Sequence, residues 1–246
     1  MKKRVCDYIA TGHYAKIEYS EKYKRNVLKK ANAISKDQSY VLYNIPVNLL
    51  NKVIFPLGNF SSKDEIREIA RKHNLTVNNK PDSEDICFIP NGNYKTFLEN
   101  NSKLKEELGN IINRKGKILG KHTGLYKYTI GQRKGLGISS KNPLYVIGFN
   151  EDKNELIVGE ENELYRTKFI VSNINLLTYD KIDNKIFAEV KTRYSCKSNR
   201  AELTQNENEI SVVFDEAQKN IVPGQSAVFY DGDIVIGGGK IISILK

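Results

Sequence analysis

The sequence predicts three pieces in series: a mixed α/β segment, a helical and basic middle, and an antiparallel β-barrel at the C-terminal end. Three observations carry that reading. Strand and helix patterns alternate up to about residue 90, acidic residues vanish from the middle, and eight short alternating runs follow one another beyond Pro143. Runs of that kind, separated by turn residues and with no helical period between them, suggest a small closed barrel.

The elements follow in order. Val5 to Ala10 reads as the end of a buried strand that runs into a Thr11-Gly12-His13 turn. Tyr14 to Tyr19 alternates and can pair with Asn26 to Ala31 as a hairpin across SEKYKR. Ser35 can cap a helix that carries Tyr40, Val41 and Tyr43 and ends by Pro46. Ser62 to Glu65 forms a capping box ahead of Ile66, Ile69 and Ala70 at helical spacing, with Asn74 as the stop. A further helix is expected from about Tyr94 to Leu108, then a hairpin and a long glycine-punctuated loop. The barrel runs are LYVIGF, ELIVGE, KFIVSNI, KIFAEVKTRY, EISVVF, SAVFYDG, DIVIGGG and KIISIL.

Bulk properties narrow the class. Three cysteines (Cys6, Cys87, Cys196) with no regular spacing argue against a disulfide framework and for a reducing, cytoplasmic compartment. No apolar run approaches the ~18 residues of a membrane span, and the N-terminus lacks the apolar stretch of a signal peptide. No membrane partner is expected. The net charge is +10, and its distribution is uneven. Between Leu108 and Asn150 there is no Asp or Glu, whereas Arg114, Lys115, Lys117, Lys121, Lys127, Arg133, Lys134 and Lys141 all fall there. The average acid content would place about five acids in that stretch. A solvated basic face is the bland explanation, but the complete loss of acids favours a polyanion, and for this kind of chain a nucleic acid.

Single motifs say less. KPDSEDICFIP (80–90) crowds Asp82, Glu84 and Asp85 around Cys87, which then meets Phe88 and Ile89. Acids and apolar cover both disfavour a thiolate, so Cys87 reads either as an inert thiol or as one whose chemistry needs no resting thiolate. The three histidines show no metal-ligand spacing with the cysteines, and no metal site is expected. Gly12, just after a strand, would let a nucleotide approach the backbone, and His13 could donate to a phosphate or base. Lys36, Asp37 and Gln38 stand at the head of a predicted helix, where anions are favoured, though a plain capping sequence looks the same. Arg193 and Tyr194 end a strand with a pair suited to phosphate contact and base stacking.

Together, DYIATGHYAK, SKDQSYVLY, FPLGNFSSKDEIREIA, DSEDICFIP, YTIGQRKGLGI, VKTRYS, FDEAQKNIVPGQSAVFYDG and GGGKII resemble the bacterial tRNA-specific 2-thiouridylases (the MnmA family) in order and spacing. The resemblance implies replacement of the 2-oxygen of a wobble uridine by sulfur: ATP, with Mg2+, activates the uridine, and a cysteine persulfide delivers sulfur. It implies that Cys87 is the persulfide-bearing catalytic residue and that Gly12 touches ATP. It also makes His13, Lys36, Asp37, Gln38, Arg193, Tyr194 and Gln225 tRNA contacts. The implied partners are tRNA and a persulfide-donating sulfur carrier or cysteine desulfurase.

The chain departs from the family pattern in one respect. The family opens on an SGGxDS-type pyrophosphate loop followed by a second working cysteine, and neither motif occurs here; Cys6 lies too close to ATGHY to be that residue. The expectation is a family member lacking roughly its first hundred residues, inactive alone and in need of a separate N-terminal fragment. Its fold class would be an α/β remnant of a PP-loop nucleotide domain (1–92), a small helical and β central region that is basic, glycine-rich and tRNA-binding (93–140), and an antiparallel β-barrel (141–246). A non-catalytic tRNA-binding module is the alternative.

Overall fold

A computed structural model describes residues 6–75, 94–101, 106–219 and 221–245. They belong to two compact units, Met1–Lys80 with Arg166–Lys246, and Pro81–Tyr165.

In the first unit, β1 (Ile9–Ala10) is followed by the hairpin strands β2 (Ala15–Ser20) and β3 (Arg25–Lys30), joined across the polar turn as the alternation predicts. Then come α1 (Ser39–Leu42), β4 (Val53–Ile54) and α2 (Lys63–Lys72). The start of α1 departs from expectation. Ser35 caps nothing; the Asp37 carboxylate turns back to accept from the Ala31 N–H at 3.0 Å and the Ser39 hydroxyl at 2.7 Å. That local competition for backbone groups delays the helix to Ser39. Half of the expected α2 capping box forms: Glu65 N donates to Ser62 Oγ, but the Glu65 carboxylate takes the Ser62 hydroxyl rather than the Ser62 N–H, and the chain stops at Asn74 with φ 53°. Asparagine tolerates that left-handed turn better than most residues.

β1 was read as buried, yet both its residues are exposed. It pairs only with β4, in parallel, so Tyr8, Ile9 and Ile54 form an exposed apolar edge among the described residues.

In the second unit, α3 (Tyr94–Asn101) precedes β5 (Gly109–Asn113), β6 (Ile118–His122), β7 (Tyr145–Asn150) and β8 (Glu155–Gly159). α3 is shorter than its pattern suggested. The Asn101 side chain donates to the Phe97 carbonyl, and residues 106–108 are not helical. The sheet order is β6-β5-β8-β7, around a core of Ile111, Leu136, Val146, Leu156 and Val158. The LYVIGF and ELIVGE strands, expected in the barrel, thus belong to this sheet. Short alternating strands look alike in sequence, and only long-range pairing assigns them.

The barrel comprises β9 (Tyr165–Leu176), β10 (Ile186–Lys191), β11 (Asn199–Asn206), β12 (Glu209–Lys219), β13 (Ser226–Asp231) and β14 (Ile234–Leu245). Their order β13-β10-β11-β12-β9-β14 closes through the β13–β14 pair into a six-stranded antiparallel barrel. Phe169, Val171, Leu203, Val212, Phe229 and Ile241 fill it.

The β2–β3 hairpin is an extension of this sheet, because Lys29 of β3 pairs with Ile234 of β14. A second core joins Leu28, Tyr40, Tyr43 and Leu50 to Leu177, Val228, Tyr230 and Val235. The α/β segment is therefore built onto the barrel. A polar latch ties the hairpin turn to the end of β13: Lys22 Nζ and Tyr23 OH donate to Asp231 Oδ2 at 2.6 and 2.8 Å. Lys22, and to a lesser degree Tyr23, hold the Asp231 carboxyl below its ordinary value of 3.8 against the opposing effect of burial. A depressed folded pKa stabilises above the ordinary carboxylate range and is lost as pH falls through the lowered value. Asp231→Asn is expected to cost about 1 kcal/mol or less at neutral pH, solvent screening being considerable. In thermal melts the deficit should shrink as pH falls below the ordinary carboxylate range and the Asp231 carboxyl takes up its proton; an undiminished deficit there would rule the latch out.

Candidate nucleic-acid interface on the barrel unit

The first unit gathers most of the described candidate residues around α1. The loop before it carries Lys36, Asp37 and Gln38. Gln38 clamps the segment after His13 twice, accepting from Tyr14 N through Oε1 at 3.0 Å and donating its own N–H to Tyr14 O at 2.8 Å. Asp37 is nearly buried, and its three hydrogen bonds to Ala31 and Ser39 all serve to hold the loop. Lys36, half-buried, projects from that loop.

The turn after β10 faces it. Lys30, Ile34, Ser35 and Asp37 line a cleft of about 550 Å3 together with Lys191, Tyr194, Cys196 and Lys197. Tyr194 is 47% exposed and stands edge-on to the Tyr40 ring at 6.2 Å. Lys191 Nζ lies 5.8 and 5.7 Å from the Tyr40 and Tyr194 ring centroids, a cation–π arrangement. Burial pushes the Lys191 pKa down, partly opposed by the Asp37 carboxylate. Burial likewise pushes the Tyr40 hydroxyl up to about 12. The wall thus carries Lys30, Lys191 and Lys197 against the acids Asp37 and Asp233, with the half-exposed Tyr194 ring among them. Such surfaces pair phosphate attraction with base stacking.

Gln225 is exposed beside the same network. Its neighbour Ser226 accepts from Tyr40 OH through the carbonyl at 2.9 Å and bonds Tyr43 OH through its hydroxyl at 3.1 Å. Gly12 and His13 sit on the strand side of the Tyr14–Gln38 clamp. A Cβ at Gly12 would meet only Leu57 Cδ1 at 3.8 Å, so packing does not require glycine there. The open backbone fits the approach of a nucleotide. His13 Nδ1 bonds Thr11 Oγ1 at 2.9 Å, and its ring packs edge-on to Phe55. Cys87 lies outside the described residues.

Sequence reasoning missed Lys191 and Cys196 as parts of this cleft, and Tyr40 as the buried ring behind Tyr194. Lys191, two residues before Arg193 in VKTRY, carried a usable signal; the other two take their places through tertiary packing alone. Among the described residues, no group of His, Cys, Asp and Glu could hold a metal ion, and no helix is long and apolar enough to cross a membrane.

The described elements are an α/β segment built onto a six-stranded antiparallel barrel, and a separate four-stranded sheet unit. Three family models match along the chain: the tRNA methyl transferase HUP domain over residues 1–91, the tRNA methyl transferase PRC-barrel domain over 95–160, and the aminomethyltransferase beta-barrel domain over 166–241. The chain is 47% identical over 236 residues to a tRNA-specific 2-thiouridylase MnmA of Caldicellulosiruptor saccharolyticus, covering 96% of this chain and 65% of the relative. A namesake in Clostridioides difficile is 44% identical over 237 residues, with 96% and 65% coverage. A third, from Clostridium botulinum (strain Hall), is 45% identical over 241 residues, with 98% and 67% coverage. The chain belongs to the MnmA family, and it spans about two thirds of the length of these relatives.

Proposed function

We propose that this chain carries the tRNA-binding and sulfur-delivering parts of a tRNA wobble-uridine 2-thiouridylase. The observation that supports this best is the cleft where the Asp37 loop meets the Tyr194 turn. In this reading Lys36 and Arg193 take phosphates, Tyr194 stacks on a base, and Gln38, Gln225 and His13 add polar contacts. Asp37 acts by holding the loop. Gly12 leaves room for ATP, which with Mg2+ supplies the activation of the uridine 2-oxygen.

Cys87 accepts sulfane sulfur from the persulfide of a cysteine desulfurase or sulfur carrier, whose thiol leaves. The outer sulfur then attacks C2 of the adenylated uridine with release of AMP, and an external thiol attacks the Cys87 sulfur, freeing the thiocarbonyl and leaving Cys87 in a disulfide. A persulfide is more acidic than its parent thiol, so it can be anionic beside Asp82, Glu84 and Asp85 while the empty thiol stays neutral and unreactive. The setting is cytoplasmic, where thiols remain reduced.

The test is thiolation of an unmodified tRNA transcript, read by retention in a mercury-containing gel. The assay holds ATP, Mg2+ and a desulfurase, with and without the pyrophosphate-loop segment of a full-length relative. Thiolated product in either arm supports the reading. tRNA binding without product in both arms would leave a non-catalytic binding module.

A further inference from the structure

The second unit holds a loop whose backbone is built for an anion. After β6 the chain makes a 3-10 turn at Leu125–Lys127 and then runs, without regular structure, to β7. Its base is pinned. Gly131 N donates to Val146 O, Val146 N donates to Gln132 O, and the Gln132 side chain bridges Thr129 N and Lys134 O. Leu136, 5% exposed, anchors the middle in the core, and Ile138 packs so close to Gly120 that a Cβ there would come within 2.7 Å of it.

Between these anchors the backbone is left-handed at Gly135 (φ 76°) and Gly137 (φ 66°), with Leu136 between them at negative φ. Where left- and right-handed residues alternate, successive amide N–H groups can turn toward one concave side, an arrangement that binds anions. Among the described residues, no backbone amide from Arg133 to Leu144 donates a hydrogen bond. Their donors are left for solvent or a ligand. A cavity of about 350 Å3 is lined by this stretch, including Arg133, Ser140 and Lys141.

The charge is equally one-sided. Lys127 and Arg114 are neutralised by Glu106 and Glu163. Arg133, Lys134 and Lys141 are exposed and form no ion pair among the described residues. The same loop thus presents unused amides, unpaired cations and a hydroxyl around one cavity, and no acid.

We propose that the 133–144 loop is a phosphate-binding loop that grips the RNA backbone, with Arg133 and Lys141 as the charged jaws and the amides around Gly135 and Gly137 as the cradle. This rests on the tRNA reading above and adds a contact site on the second unit. Phosphate contacts of this type position an RNA without reading its sequence.

The test uses the full chain and an unmodified tRNA transcript, with affinity measured across a salt series. Arg133→Ala/Lys141→Ala is expected to weaken binding about tenfold at low salt and to reduce the salt slope by between about one and two. Gly137→Val keeps every charge, and nothing lies within 4 Å of its new Cβ, yet it strains the left-handed backbone; it is expected to weaken binding severalfold, with a lowered but still cooperative melting transition that leaves the chain folded at the assay temperature. Wild-type affinity in both variants would overturn the proposal. So would an equal loss from Lys181→Ala/Lys185→Ala on the barrel, which removes the same charge elsewhere. Inorganic phosphate binding that is lost in Gly137→Val, with tRNA affinity intact, would assign a small-anion site instead and also overturn it. A wild-type chain that binds no tRNA would sink the function reading itself.

Discussion

Cys87→Ser is expected to abolish sulfur transfer to tRNA, by at least about a hundredfold in the mercury-gel assay, while leaving tRNA affinity within about twofold. The reason is chemical. A serine oxygen cannot take up and release a sulfane sulfur, and no neighbouring group in DSEDICFIP can substitute. Cys6→Ser, at an exposed position, serves as the control and should thiolate like wild type. Thiolated tRNA formed by the Cys87 variant at the wild-type rate would remove Cys87 from the mechanism. Alkylation adds a second handle: a thiol flanked in sequence by Asp82, Glu84, Asp85 and the apolar pair Phe88 and Ile89 should react more slowly with iodoacetamide at neutral pH than a small free thiol does.

Tyr43→Ala carries the largest expected cost to stability. Tyr43 is 3% exposed and packs in the core that joins α1 and the hairpin to the barrel. Its ring lies where a Cβ at Gly238 would come within 2.8 Å, so glycine in β14 and the aromatic ring are fitted to each other. Asn175 Nδ2 also holds the Tyr43 and Ile45 carbonyls, at 2.6 and 2.9 Å. Removing the ring should cost about 3–5 kcal/mol in denaturant unfolding, as for other buried aromatic truncations. Tyr43→Phe, which loses only the bond to Ser226, should cost about 1 kcal/mol. Because α1 connects the Asp37 loop to Ser226, the alanine variant should also bind tRNA more weakly. A cost below about 1 kcal/mol would mean that the α/β segment is not held by this core.

Local chemistry made part of the fold legible. The Ser62 cap, the stop at Asn74, the hairpin across SEKYKR and the glycine-punctuated loop after β6 each follow from residues adjacent in sequence. What could not be read was partnership. Nothing in LYVIGF or ELIVGE says that ELIVGE pairs with GNIIN, so that both strands join the GNIIN–ILGKH hairpin in one sheet and leave the barrel to begin at KFIVSNI. Nor did the 34–43 stretch reveal that Asp37 would spend its oxygens on Ala31 and Ser39, shortening the helix and turning an apparent contact residue into a brace.

The site divides along the same line. Lys36, Arg193, Tyr194 and Gln225 were accessible as motifs, through a resemblance. The Tyr40 ring and Lys191, which hold Tyr194 in place, take their positions only because β10, β13 and α1 pack together. In the acid-free middle the charge was visible in sequence, but the pairing of Lys127 and Arg114 with glutamates was not.

The most direct test of the central claim, that the Lys36 loop and the Arg193 turn form one tRNA-binding surface, is a double-mutant cycle on tRNA affinity. Lys36→Ala and Arg193→Ala are each expected to weaken binding by about tenfold. Their double variant should lose less than the product of the two, as expected for residues that grip one segment. Affinity unchanged in both single variants, at a salt concentration where the wild-type chain binds tRNA, would contradict the account.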